Sequence, residues 1–153
     1  MSDRSQIREQ LIKIGLPDVV IRIFDGNCEH PELSYRCQSP LFSFATDTSL
    51  PDGLIPFWER GVLVTAAEPS KGEFVKLSLE EPGNPWFVVP TFSEVVADLF
   101  IDLWEDEVPD EVLGPLAESF GFLHLDRLIA GLEKGATGDH DQWRVQLRTQ
   151  CRE

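Results

Sequence analysis

Apolar positions recur at helical spacing towards both ends of this chain and run almost unbroken through its middle. Ile7, Leu11 and Ile14 fall at i, i+4 and i+7, with Asp3 placed to cap and Gly15 placed to stop, which predicts a helix over 3–14. A short apolar run, 19–24, follows Pro17-Asp18 and closes on the turn residues Asp25-Gly26-Asn27; its periodicity fits a helix or a strand equally. Residues 28–56 are broken by Pro31, Pro40, Pro51 and Pro56 and leave room only for brief strands at 33–36 and 41–45. The pattern then turns to β. Residues 57–67 are rich in β-branched and aromatic side chains, 73–79 alternate, and 86–89 form a third run, with turn clusters at 68–72 and 81–85 between them. Three strands joined by short turns predict an antiparallel meander.

Helical spacing returns at Thr91-Phe92-Ser93-Glu94, where a capping threonine precedes a glutamate three residues on. Val95, Val96, Leu99, Phe100, Leu103 and Trp104 form one stripe of the helix that follows, and Glu94, Asp98 and Asp102 another, until Pro109 interrupts. Further helices are predicted over 111–119, despite Gly114-Pro115, and over 123–134, stopped by Gly135. A last helix starts at Asp139 or Asp141, with Trp143, Leu147 and Cys151 on one stripe and Arg144, Arg148 and Arg152 on the next. No internal repeat interrupts this order.

Charge changes the picture, because it is regional. Of 153 residues, 27 are acidic and 13 basic, a formal net charge of −14. Residues 77–126 hold twelve carboxylates and no lysine or arginine, whereas 1–76 hold eleven acids against eight bases and 127–153 four against five. A one-signed surface focuses a field that selects basic partners. It argues against nucleic acid as a direct ligand, which needs lysine and arginine at phosphates, and against docking on an anionic membrane. The hydrophobic fraction of 42% supports a packed domain rather than disorder. No apolar targeting segment follows the polar start, and the three cysteines are an odd number, so a reducing, cytoplasmic compartment is expected.

Candidate chemistry is sparse. Cys28-Glu29-His30 with Cys37 has the ligand types for zinc but lacks a fourth ligand and a standard spacing, so no metal or other cofactor is expected. Asp139-His140-Asp141 is explained by a helix cap, and no nucleophile elbow accompanies the histidine. Gly131, Gly135 and Gly138 suit a helix end better than a phosphate loop, since no strand precedes them. With so many acids, some pair always resembles the acid and base of a glycoside hydrolase. The helix of residues 94–107 is more informative. Glu105-Asp106-Glu107 sit at its C-terminal end, where the dipole favours cations, and acids at i, i+4 repel. Such a helix needs a basic partner, either the C-terminal arginine stripe or a second protein.

The order of features resembles the SUKH superfamily, which includes fungal cell-wall-assembly regulators, the Syd protein and many bacterial immunity proteins. The resembling residues are Gly15-Leu16-Pro17 after a first helix, the apolar segment ending in Phe24-Asp25-Gly26, Leu54-Ile55-Pro56-Phe57-Trp58 opening the meander, and Thr91-Phe92-Ser93-Glu94-Val95-Val96 with Leu99-Phe100 after it. The likeness covers about residues 5–105. It implies an α+β fold with a twisted, mainly antiparallel sheet; the tail after Pro109 is not part of the likeness, and with the helices read from spacing the chain is expected as a SUKH-like α+β domain with flanking helices over 1–108 and a helical C-terminal extension over 109–153 packed on the same domain. It also implies a non-enzymatic binding protein: an immunity protein neutralising a toxin domain of nuclease or deaminase type, or an adaptor in a larger assembly. On that reading Glu94, Asp98, Asp102, Glu105, Asp106 and Glu107 form the partner-binding face, with Trp58 and Trp86 as aromatic anchors. A carboxylate-dependent hydrolase and a regulatory scaffold are the alternatives.

Overall fold

A computed structural model of the chain describes residues 3–44, 50–136 and 138–152. It is an α+β protein: a four-stranded antiparallel sheet and six α-helices among the described residues. Two compact units divide it, residues 1–89 and 90–153. No helix among the described residues is long and apolar enough to cross a membrane.

The first unit begins with α1 (Arg4–Lys13), capped reciprocally by the Asp3 and Gln6 side chains. Its Ile7 and Leu11 are buried, whereas Ile14, the third member of the expected stripe, is exposed because the helix has already ended there. The ambiguous run 19–24 is helical, α2 (Asp18–Phe24), with Pro17 immediately before it, and it buries Val19, Val20, Ile21, Ile23 and Phe24. The strands expected near 33–36 and 41–45 do not form; 3₁₀ turns stand at Pro31–Leu33 and Phe42–Phe44 instead, and Ala45 lies outside the described residues. Proline at the first position of the earlier turn fixes φ for a helical start and withholds a ladder donor. Among the described residues one backbone bridge, Gln38 to Glu59, joins this segment to the sheet.

The sheet runs in the order β1 (Ile55–Arg60), β2 (Leu63–Glu68), β3 (Glu73–Ser78), β4 (Phe87–Val89), every pair antiparallel. The meander therefore has four strands. The run 57–67, expected as one strand, is a hairpin turning at Gly61, whose φ of 60° suits glycine. The turn is hidden in sequence because β1 and β2 are buried on both faces and lack the alternation that marks a half-buried strand. The row Trp58–Thr65–Lys76–Phe87 on one face is buried except for half-buried Lys76, and the row Pro56–Ala66–Val75–Val88 on the other is buried as far as Val75. A register shift between Pro56 and Trp58 accommodates Phe57, whose ring meets Trp58 edge-on at 4.9 Å. Helices α1 and α2 pack on β1.

The second unit is built around α3 (Phe92–Glu105). It is joined there by α4 (Asp110–Phe120), α5 (Leu125–Glu133) and α6 (His140–Thr149). Thr91 caps α3 as expected, accepting from the Glu94 amide, and its hydroxyl donates to the Glu94 carboxylate at 3.0 Å. Phe100 forms the aromatic centre, with Phe120 and Phe122 at 6.0 and 5.5 Å. Because α3 packs with α4, α5 and α6, the boundary expected at 108/109 falls inside this unit. Gly114-Pro115 is tolerated within α4, where Leu113, Leu116, Ala117 and Phe120 are buried.

Candidate functional site

The acidic stripe of α3 faces α6. Helical spacing puts Glu94, Asp98, Asp102 and Glu105 in a row and aligns Arg144 with Arg148 on α6, and Arg152 follows just past the end of that helix. The helices run antiparallel, so the rows pair in reverse order. Arg152 donates to both carboxylate oxygens of Glu94, at 2.7 and 3.2 Å. Arg148 reaches Asp98 at 3.3 Å. Arg144 donates to Asp98 at 3.1 Å, to Asp102 at 2.8 Å and to Glu105 at 3.3 Å, and also to the Asp98 carbonyl. Glu94 and Asp98 are only 1% and 5% exposed. Burial works against the Arg144 cation, but the charges of Asp98 and Asp102 outweigh it and raise its pKa; the Glu94 carboxylate raises that of Arg152.

Two members of the expected binding face, Glu94 and Asp98, thus point into the unit, and Asp102 is half-buried. The internal arginine stripe is the basic partner that this part of the helix requires. What remains at the surface is the corner where α3 turns into α4: Glu105, Asp106, Glu107, Asp110 and Glu111, all exposed within residues 105–111. His140 also approaches Glu105, at 3.9 Å.

The corner is built against local preference. Glu107 donates its amide to the Trp104 carbonyl and Val108 donates to Leu103, the two bonds of a Schellman turn. Glu107 occupies the left-handed position of that turn, φ 65°, where glycine is usual. Glu105, Asp106 and Glu107 also gather at the negative end of the helix dipole. Asp110 and Glu111, in contrast, lie in the first turn of α4, where acids are favourable.

Of the two expected aromatic anchors, Trp58 is 5% exposed, inside the sheet beside Phe57, and presents no surface to a partner. Its position in the doubly buried strand β1 is the reason. Trp86 belongs to the first unit, is 62% exposed, and has the Lys76 ammonium 5.4 Å from its ring.

A buried carboxylate that sequence reasoning passes over is Glu59 on β1. It accepts from the amides of Leu41 and Ser43 and from the Ser43 hydroxyl, holding the loop before β1 to the sheet. One glutamate in an apolar strand is its only signal in the sequence. Among the described residues, the lining of a cavity of about 600 Å³ in the first unit carries one carboxylate, Asp52. Among the described residues no group of three or more histidine, cysteine, aspartate or glutamate side chains is arranged to hold a metal ion. Asp139 caps α6 by accepting from the amides of Asp141 and Gln142, which accounts for its place beside His140.

Cys151, at the end of α6, is fully buried, and burial pushes its thiol up to about 11. The unfolded chain ionises this thiol first, near its ordinary value of 9.0. Between about pH 9 and 11 the folded state therefore holds the extra proton, and stability falls as pH rises. The shift corresponds to about 2–3 kcal/mol. Urea midpoints at the two ends of that window should diverge for the native chain and converge for Cys151→Ala. An equal loss in both chains would assign the alkaline sensitivity to other groups.

Comparison of this chain with protein-family models, curated proteins and solved structures gives no significant match.

Proposed function

We propose that this chain is a non-enzymatic protein-binding module, an immunity protein that neutralises a basic toxin domain of nuclease or deaminase type. The observation that carries the reading is the exposed corner at 105–111, five carboxylates within seven residues, three of them at a helix C-terminus against the dipole. Glu105, Asp106 and Glu107 all oppose the helix dipole, Glu107 takes φ 65°, and of the three Glu105 also accepts from Arg144. A partner with a basic cleft gains complementarity and a faster encounter. The toxin assignment is the finer part of the proposal and rests on the SUKH resemblance. Occlusion of a cleft needs no cofactor, and the protein acts in the cytoplasm, where such a toxin finds its substrate.

The corner replaces the wider face read from the sequence. Glu105, Asp106 and Glu107 stay in it, Asp110 and Glu111 join it, and Glu94, Asp98 and Trp58 leave it because they are buried. Affinity capture from the source cells at low and high salt tests this. The native chain should retain a basic protein at low salt and release it at high salt, and the triple variant Glu107→Gln, Asp110→Asn, Glu111→Gln should retain far less. Equal capture by both chains would remove the corner from the account.

A further inference from the structure

The corner leaves the acidic row beneath α6 without a role beyond stability, yet its form is that of a receptor already filled. Four carboxylates of α3 meet three arginines spaced i, i+4, i+8, two on the antiparallel helix α6 and Arg152 just past its end. The apolar hold of α6 is small. Leu147 and, just past the helix, Cys151 are buried and Trp143 is half-buried, as few apolar side chains as α5 buries and fewer than the four of α4. Asp141, Gln142, Val145, Gln146 and Thr149 face solvent. Ion pairs therefore supply much of the attachment of α6, and attachment of that kind is open to competition by other cations. The connection to α5 passes through Gly135 and Gly138, at φ 77° and 82°, residues that permit a change of chain direction.

We propose that α6 is an internal stand-in for a basic helix: it occupies an acidic groove on α3 that a partner helix with arginines at i, i+4 and i+8 competes for. Removal of α6 uncovers Glu94, Asp98 and Asp102 on the same helix that ends in the exposed corner. A basic partner that lands on the corner thus finds a longer acidic track as α6 yields. This rests on the reading that the partner is basic, and it adds the shape of the partner's contact element and a cis contact that restrains binding until it is displaced. The tether gives α6 the advantage of an intramolecular ligand, so the free site is a minor state of the native chain.

The test uses the full chain and a fluorescent peptide of residues 139–152 as the probe. The native chain should bind the peptide weakly and lose it at high salt. A chain carrying Arg144→Gln and Arg152→Gln, which loosens the resident helix and leaves the carboxylates intact, should bind the same peptide about tenfold more tightly, since apparent affinity scales with the fraction of open sites. A scrambled peptide that breaks the arginine spacing should not bind. No binding to either chain, equal affinity for both, or equal binding of the scrambled peptide would overturn the proposal and leave the ion pairs as a fixed brace. Should the loosened chain fail to fold, hydrogen exchange of the native chain decides. The α6 amides must open ahead of those of α3 to α5, and exchange of all four at one common rate refutes the proposal. The corner variant separates the two readings, because it should keep peptide exchange even if it captures no partner.

Discussion

Replacement of Asp98 by alanine should destabilise the protein by about 3–5 kcal/mol, the usual cost of withdrawing one member of a buried ion pair. Two guanidinium groups converge on this carboxylate, Arg144 at 3.1 Å and Arg148 at 3.3 Å, and the carboxylate is almost wholly buried. The loss should appear as a lowered denaturant midpoint with an unchanged slope. Asp98→Asn keeps the shape and part of the hydrogen bonding and should lose less. Replacing Asp98 and Arg148 together by leucine and methionine should recover much of the loss, since a buried pair exchanged for apolar groups is often neutral. Asp98→Ala within about 1 kcal/mol of the native chain would mean that the arginines do not depend on it.

The second large effect is expected at Glu59. Substitution by leucine fills the volume but leaves the amides of Leu41 and Ser43 and the Ser43 hydroxyl without the acceptor they share. At about 1–3 kcal/mol for each buried donor deprived of its partner, and with the Leu41 amide only partly buried, the total should be about 3–5 kcal/mol. Hydrogen exchange should locate the damage in residues 38–44, with the β2–β3 ladder protected. Glu59→Gln keeps one acceptor oxygen and should lose roughly half as much. Undiminished protection of 38–44 in Glu59→Leu would show that the loop is held by other contacts.

The two carboxylates also mark where the sequence is legible. Helices α1, α3, α4, α5 and α6 follow from spacing and caps, because each has one polar face and a capping or stopping residue near its ends. The meander is legible where strands alternate, as in β3, and illegible in β1 and β2, where both faces are buried and the turn at Gly61 is masked by apolar neighbours. The segment 28–44 is decided by Glu59 and by Arg4, which donates to Phe24, Ser39 and Pro40, and such long-range bonds leave no local pattern. For the site, charge counts locate the acidic region. They do not divide it between solvent and interior, since Glu94, Asp98 and Asp102 carry the same signature as Glu107 and Asp110. The arginine stripe of α6 is the one sequence feature that anticipates the division, because its spacing matches theirs.

Carboxylate footprinting tests that division most directly. The native chain would be treated with a carbodiimide and an amine, and each modified residue read by mass spectrometry. Glu107, Asp110 and Glu111 should label quickly, and Glu94 and Asp98 only once the chain unfolds, because the first group is exposed and the second is enclosed by arginines. Labelling of Glu94 and Asp98 at the rate of the corner would contradict the account, for the acidic row of α3 would then be open surface.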